Sequence, residues 1–161
     1  MLIVKGRADE VLLFLYLVFM DVLIQQLEEL EEKLDVNKAL DFSVDSDIQE
    51  LIIELNQEQL YNLGEDSEGK SLGTYASTTV MIKQAQGVPT DRITLKDTGD
   101  FYSSFKVFYS NGEIFIDADG QKDDTNLFDE YGEDILGLND ANMSIFIDEV
   151  KKNIVFYLFE K

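Results

Sequence analysis

The chain has 161 residues, enough for one domain with a sizeable core, and 45% of them are hydrophobic, which excludes disorder of the whole chain. It contains no cysteine and no histidine, so disulfides, thiolate metal sites and histidine-dependent catalysis are excluded within it. Its formal net charge of -20 disfavours non-specific binding to nucleic acid, which needs the opposite sign.

A continuous apolar run, VLLFLYLVFM, covers residues 11–20 and stops at Asp21. It is shorter than the ~20 residues of a membrane span, which makes a membrane-associated segment the less favoured interpretation, and acidic residues flank it, which is wrong for a signal peptide. Apolar residues recur in steps of four and three, which predicts one helix from about Asp9 to Leu34. Its first half is apolar all round, so we expect it to be buried on the core or between subunits. The repeating positions are Leu12, Tyr16, Phe19, Leu23, Leu27, Leu30 and Leu34.

A second helix is predicted after a connection over residues 36–46. It starts near Asp45 or Asp47, since aspartate caps helices well, and it ends at Gly64, where glycine suits a helix C-terminus. Its apolar face consists of Ile48, Leu51, Ile52, Leu55 and Leu60.

The middle of the chain is predicted to be mostly irregular. Residues 64–73 carry three glycines and four charged side chains, which indicates a loop. A short helix over residues 78–86 is closed by Gly87, and a turn around Pro89 leads into an extended stretch.

A β-hairpin is the clearest local signal. The segments FKVFYS and EIFIDA flank Asn111-Gly112, the preferred pair for a two-residue hairpin turn. Apolar residues alternate along both segments, as expected for two antiparallel strands with one buried face.

The last third begins with an acidic loop over residues 117–126 and a helical turn over residues 127–131. Asn139 and Asp140 can cap a final helix. The end of that helix, residues 154–159, is apolar throughout, which implies burial against the core or a neighbouring chain.

The stretch GEDSEGKS, residues 64–71, matches the phosphate-binding pattern G-x-x-x-x-G-K-[ST]. A P-loop must follow a buried strand and open a helix, because its backbone N–H groups wrap the phosphates there. Here a helical segment precedes the match, and Glu65, Asp66 and Glu68 would place negative charge beside a polyphosphate. We therefore interpret the match as an acidic loop, with Lys70 as a surface cation.

Two acidic constellations also have simpler interpretations. Asp117 and Asp119 begin like a calcium-binding EF-hand loop, but the sixth position is Lys122 and not glycine, and the twelfth lacks the glutamate. Asp97 and Asp100 could form a catalytic carboxylate pair, but capping or a turn beside Gly99 explains them as well. Further acids near the first constellation are Asp123, Asp124 and Asp129.

Five short motifs follow one another between residues 66 and 140. They are a D-x-x-G loop (DSEG, 66–69), a Ser/Thr segment (ASTT, 76–79) with Lys83 after it, a T-G segment (LKDTGDFYSSF, 95–105) before the hairpin, the pair Tyr131-Gly132, and the phrase ILGLND (135–140) before the last helix.

In this order the motifs resemble the virion-morphogenesis, or tail-completion, proteins of tailed bacteriophages, over roughly residues 48–160. The resemblance implies an α+β subunit that joins a ring at the head–tail junction or the tail end and has no chemistry of its own. The resemblance implies a structural role for the residues of these motifs and of the hairpin turn: Asp66, Gly69, Asp97, Thr98, Gly99, Phe101, Phe105, Asn111, Gly112, Tyr131, Gly132, Leu136, Gly137 and Leu138.

The T-G segment has a physical interpretation of its own. Gly99 can take a backbone conformation closed to other residues, and Thr98 and Asp97 can bond back to the backbone around it. Phe101 and Phe105 would then anchor this corner in the core and set the hairpin.

The predicted fold class is therefore α+β: a long N-terminal helix, a second helix, an extended loop, a sheet containing the antiparallel hairpin and a C-terminal helix. Residues 1–44 form a helical segment packed on the core or a neighbouring subunit, and residues 45–161 form the tail-completion-like domain. No catalytic, cofactor or metal site and no membrane association are expected.

The expected function is a non-enzymatic virion part, assembled in the bacterial host cytoplasm as a homo-oligomeric ring that contacts other neck or tail proteins. Its acidic surface would line a channel past which DNA moves without specific binding. One alternative is an acidic module that mimics DNA and occupies a basic protein site. A nucleotide-binding enzyme using residues 64–71 is the other.

Overall fold

The chain folds as an α+β protein, as its sequence predicts, in a computed structural model that describes residues 5–33, 35–122 and 125–159. It divides into two units, Met1–Ala39 and Leu40–Lys161. The first unit consists mainly of one long helix. The second holds most of the remaining helices, all the described strands and the two core clusters.

Helix α1, Lys5–Lys33, forms over the predicted region and begins four residues earlier than the predicted start at Asp9. Leu34, the predicted last residue, lies outside the described residues. The side chains from Leu12 to Phe19 are 43–65% exposed. Their burial between subunits stays a prediction. No helix in the described ranges is both long and apolar enough to cross a membrane.

The predicted connection over residues 36–46 is wrong for most of its length, because helix α2 occupies Val36–Ser43. Asp35 caps it: the Asp35 carboxylate accepts hydrogen bonds from the backbone N–H groups of Asn37 and Lys38, both at 3.1 Å. Because the Asp35 carboxylate satisfies N–H groups that have no partner within the helix, it stabilises α2 although the helix is only eight residues long.

Helix α3, Ser46–Glu58, begins where the sequence predicts, but the α-helix stops six residues before the predicted end at Gly64. The Asp45 carboxylate accepts from the N–H groups of Asp47 and Ile48 at 3.1 Å. After Glu58 the helix widens into one π-helical turn, Gln59–Leu63, and Gly64 closes it in a left-handed conformation.

Helices α4 and α6 follow the prediction, whereas α5 and the 3-10 turn were not predicted as helices. Helix α4, Ser77–Gln86, ends at Gly87. Helix α5, Asp100–Ser103, is a single turn inside the T-G segment, and α6, Leu127–Tyr131, precedes Gly132 and a 3-10 turn, Glu133–Ile135. The last helix, α7, covers Asp140–Phe159. It is capped by the Asn139 side chain, which accepts from the N–H of Asn142 at 3.0 Å.

The predicted hairpin is confirmed. Strands β1, Lys106–Ser110, and β2, Glu113–Asp117, pair antiparallel, with Ser110 opposite Glu113. Asn111 and Gly112 both have positive φ, 55° and 81°, as a type I′ turn requires. Two further strands, β3, Gln121–Lys122, and β4, Thr125–Asn126, form a minimal ladder inside the segment predicted as an acidic loop.

Two apolar clusters form the core of the second unit. The first joins α3, the hairpin and α7. The second joins the π-helical turn, the T-G segment and the chain around α6, and Ile53 and Ile116 pack against both. The buried members of the first are Val44, Ile48, Ile52, Leu55, Val107, Leu138 and Val150. Those of the second are Leu60, Phe101, Tyr102, Phe105, Ala118, Leu127 and Ile135.

Candidate functional site

Two buried amide side chains, Asn56 on α3 and Gln59 on the π-helical turn, fix the chain that leads into α7. We call them the amide pair; they are 0% and 1% exposed. The Asn56 amide donates to the carbonyl of Ile135 at 3.1 Å and accepts from the N–H of Gly137 at 3.0 Å. Asn56 therefore forms hydrogen bonds to the backbone of the phrase ILGLND on both sides of Leu136, as a neighbouring β-strand would.

Gln59 continues the same contact towards the start of α7. Its carbonyl oxygen accepts from the N–H of Asn139 at 2.8 Å and from the Asn142 amide at 3.2 Å. Its amide nitrogen lies 3.4 Å from the carbonyl oxygen of Glu65 and 3.5 Å from that of Gly137. One side chain thus connects the acidic loop, the phrase ILGLND and α7. Leu138 of that phrase is buried in the first core cluster.

The loop over residues 64–71 is closed by its own aspartate. Asp66 is buried, and its carboxylate accepts from the N–H groups of Glu68 and Lys70 at 3.0 and 2.8 Å, while Gly69 donates to the Asp66 carbonyl. A π-helical turn precedes the loop, where a P-loop needs a strand. A carboxylate already occupies two of the N–H groups that would bind phosphate, and Lys70 is exposed.

The acidic loop also touches the phrase ILGLND. The N–H of Ser67 donates to the carbonyl of Asp134 at 2.8 Å, and Gly137 lies against the Ser67 side chain. Gly137 has φ +127°, and a Cβ built on it would be 2.9 Å from Ser67 Cβ. Two motifs that stand about 70 residues apart in sequence are therefore in direct contact in the fold.

The T-G segment forms the predicted corner, with one difference. Gly99 has φ +98° at the N-cap of α5, and the Thr98 hydroxyl donates to the Asp100 carboxylate at 2.6 Å. Phe101 and Phe105 are buried with their ring centroids 5.1 Å apart. Asp97, however, was expected to bond the local backbone, and its carboxylate instead pairs with Lys122 at 2.8 Å. The lysine gives it an ion pair that a backbone turn cannot offer.

A pocket of about 220 Å³ lies beside this corner. Lys83 on α4 is 7% exposed there, and its ammonium donates to the carbonyl of Lys96 at 3.1 Å and sits 4.9 Å from the centroid of the Tyr75 ring. This lysine ties the helix of the Ser/Thr segment to the T-G segment. Tyr131 also lines the pocket, and burial, with the Glu130 carboxylate next to it, raises its pKa to about 12.

We expect the ion pair between Asp97 and Lys122 to control the titration of Asp97. The hydrogen bond and the charge of Lys122 lower the pKa of Asp97 below its ordinary 3.8, so folding favours the ionised form. The stabilisation from this pair is present above pH 3.8 and is lost as the pH falls through the lower folded pKa. In Lys122→Met we expect the Asp97 pKa to rise towards 3.8, measured by carboxyl carbon NMR.

The matched control for this titration is Lys151→Met. Lys151 is also paired with an aspartate, Asp148, but on α7. This change removes the same charge and should leave the Asp97 titration where it is in the unmodified chain. An equal shift in both variants would show that overall charge, and not the contact with Lys122, sets the pKa of Asp97.

Within the described part of the chain, the acidic candidates for metal binding form no cluster that could hold a metal ion. The Asp119 carboxylate accepts from the N–H of Gln121 at 3.0 Å, and its backbone N–H bonds the Ser104 hydroxyl at 2.8 Å, so it closes a turn. Asp123 and Asp124 lie outside the described residues. Over residues 5–33, 35–122 and 125–159, no group of three or more acidic side chains is placed to hold a metal ion.

Large apolar side chains are exposed on several elements of the second unit. On the hairpin, Phe108 and Phe115 lie directly opposite each other on the outer face and are 52% and 51% exposed. Near the end of α7, the exposed side chains include Phe156 and Phe159. Helix α4 exposes Met81. Large exposed apolar patches are typical of surfaces that bind proteins, membranes or ligands.

Sequence reasoning missed the amide pair, although it found most of the residues around it. Asn56 and Gln59 stand three residues apart on a helix whose other inward positions are apolar, and polar residues there are the available signal. Nothing local indicates which distant carbonyls they bond.

Comparison of the chain with protein-family models, with curated proteins and with solved structures finds no match.

Proposed function

We propose that this chain is a structural virion protein of a tailed bacteriophage that assembles into a ring at the head–tail junction or the tail end. The observation that carries the proposal is the exposure of large apolar side chains on four separate elements of a very acidic chain. Helix α1, α4, the hairpin and α7 all contribute to it. A single small partner would not cover so many surfaces, whereas a subunit between neighbours uses several at once.

The motifs behind the phage resemblance support the proposal through their contacts. The DSEG loop contacts the phrase ILGLND through Ser67, and Lys83 contacts the T-G segment through the Lys96 carbonyl. The motifs therefore act together as a scaffold that holds the second unit in one shape. Under the proposal, they are structural residues, and the exposed surfaces make the contacts with neck or tail proteins.

The net charge of -20 fits the same role. DNA that passes through a channel is repelled by an acidic wall, which keeps it from adhering there. The same charge makes subunits repel each other, while apolar contacts hold them together. We therefore expect assembly to strengthen as salt rises from low to physiological concentration, because salt screens the repulsion.

The test uses the full chain, purified without other virion proteins. Light scattering over a range of protein and salt concentrations should show an oligomer whose fraction increases as the salt concentration rises. Class-averaged electron images should show a closed ring with a central channel. A strict monomer at high concentration contradicts the proposal. A stable one-to-one complex with a basic nuclease or polymerase would instead support the DNA-mimic alternative.

A further inference from the structure

The exposed apolar side chains of α1 follow an 11-residue repeat. We define the central stripe as the described positions at steps of four, three, four, four and three: Leu12, Tyr16, Phe19, Leu23, Leu27 and Leu30. Eleven residues in three turns correspond to about 3.67 residues per turn, close to the 3.6 of an ordinary helix. The stripe therefore runs almost straight along α1, and helices packed along it form a straight or slightly right-handed bundle.

Two apolar flanks border the central stripe over the first part of α1. One flank contains Leu13, Leu17 and Ile24, and the other contains Leu15, Val18 and Val22, all exposed by 43–59%. At about 100° per residue, stripe and flanks together cover roughly 260° of the helix circumference. The remaining arc, opposite the stripe, contains Phe14 in the first turns of the described stretch and then a polar line through Asp21, Gln25, Glu28 and Glu32.

This arc is too wide for one partner helix. A helix that packs on a single neighbour buries a stripe about 100° wide, which would leave both flanks in water. Two neighbours, one on each flank, cover the stripe and both flanks and leave the polar line and Phe14 exposed. The stripe and the two flanks contain twelve exposed large apolar side chains, and at about 100 Å² each they supply about 1,200 Å² per helix, more than the ~800 Å² that each partner buries in a stable interface.

We propose that α1 is the element through which copies of this chain associate, in a closed parallel bundle of three or more α1 helices. Each copy places one flank against the opposite flank of the next, and the central stripes face the bundle axis. Because each contact joins two different flanks, copies related by rotation about one axis repeat this contact and close into a ring. The inference rests on the proposed ring and names its occupant: the α1 helices of other copies of the chain.

The first test places a charge on the stripe or on the polar line. Phe19→Glu puts a carboxylate on the bundle axis, and we expect it to raise the concentration needed for half-assembly at least about 100-fold, since an unpaired charge is costly to bury. Gln25→Glu introduces the same residue six positions further on, on the polar line, and should assemble like the unmodified chain. Circular dichroism checks that both variants keep their helices.

The outcomes separate this inference from the proposed function. If Phe19→Glu assembles like the unmodified chain, α1 is not the interface, and the ring must form through another surface. If the unmodified chain is monomeric at all concentrations, both proposals are overturned. Assembly that Phe19→Glu abolishes and Gln25→Glu preserves supports the bundle.

A second test reports the direction of the helices. The chain has no cysteine, so a cross-linker that joins two thiols reacts only at an introduced position. In a parallel bundle Leu30 of each copy lies near Leu30 of the next, and Leu30→Cys should be joined efficiently by a short bismaleimide. Glu28→Cys, on the outer polar line, is the control and should react much less. Equal cross-linking at both positions, or none at Leu30→Cys in the assembled protein, overturns the parallel bundle.

Discussion

Replacing Gln59 by methionine should lower the free energy of unfolding by about 3 kcal/mol, since each buried polar group left without a partner costs about 1–3 kcal/mol. Methionine has nearly the length of glutamine and no hydrogen-bonding amide. The substitution leaves the N–H of Asn139 and the amide of Asn142 without their bonds to the Gln59 oxygen. Asn142 keeps a bond to the carbonyl of Leu55, which limits the loss.

Urea denaturation followed by circular dichroism measures this effect. Gln84→Met is the matched control, because Gln84 is exposed on α4 and the same change there should alter stability by less than ~0.5 kcal/mol. A loss below about 1 kcal/mol for Gln59→Met would mean that the amide pair does not hold the segment before α7 in solution.

Gly137→Ala should also cost about 3 kcal/mol, from a strained backbone and a steric clash together. The backbone of Gly137 has φ +127°, where residues with a Cβ are strained. The new Cβ would lie 2.9 Å from Ser67 Cβ. Relief of this clash requires movement of the acidic loop, which the bond from Ser67 to Asp134 and the bonds of Asp66 hold in place.

Two variants separate the strain from the clash. Gly99→Ala introduces a Cβ at φ +98° with no neighbouring atom within 4 Å, so it reports the backbone cost alone, which we expect to be about 1–2 kcal/mol. Ser67→Gly removes the contacting side chain, and in the Gly137→Ala background it should restore about 1 kcal/mol or more. Additive effects of the two substitutions would show that Ser67 and Gly137 do not touch.

The features that the sequence predicts correctly are those with a local physical cause. Asp45 caps α3 through the next three residues, Gly64 ends the π-helical turn, and the pair Asn111-Gly112 sets the hairpin turn. Each depends on one or two side chains and a backbone angle. For this reason the sequence predicts α3, α4, the hairpin, α6 and α7 in their correct order, whereas α2, α5 and the β3–β4 ladder are absent from the prediction.

The features that could not be predicted depend on distant residues. Most bonds of the amide pair connect positions about 80 residues apart, and no local pattern tells a buried amide side chain which distant backbone carbonyl or N–H it will meet. The partner of Asp97 was missed for the same reason, since Lys122 follows 25 residues later. The error at α2 is different: Asp35 is a local cap signal, but the apolar pattern after it is too short to indicate a helix.

The amide pair also determines when this protein can fold. Asn56 and Gln59 belong to the first half of the chain, but apart from the Glu65 carbonyl the groups that bond their side chains come from residues 135–142. Until those residues have been synthesised, burying α3 would leave the Asn56 amide and the Gln59 oxygen without these partners. We therefore expect the second unit to fold late in translation and in one cooperative step, because long loops must close before any of these bonds forms.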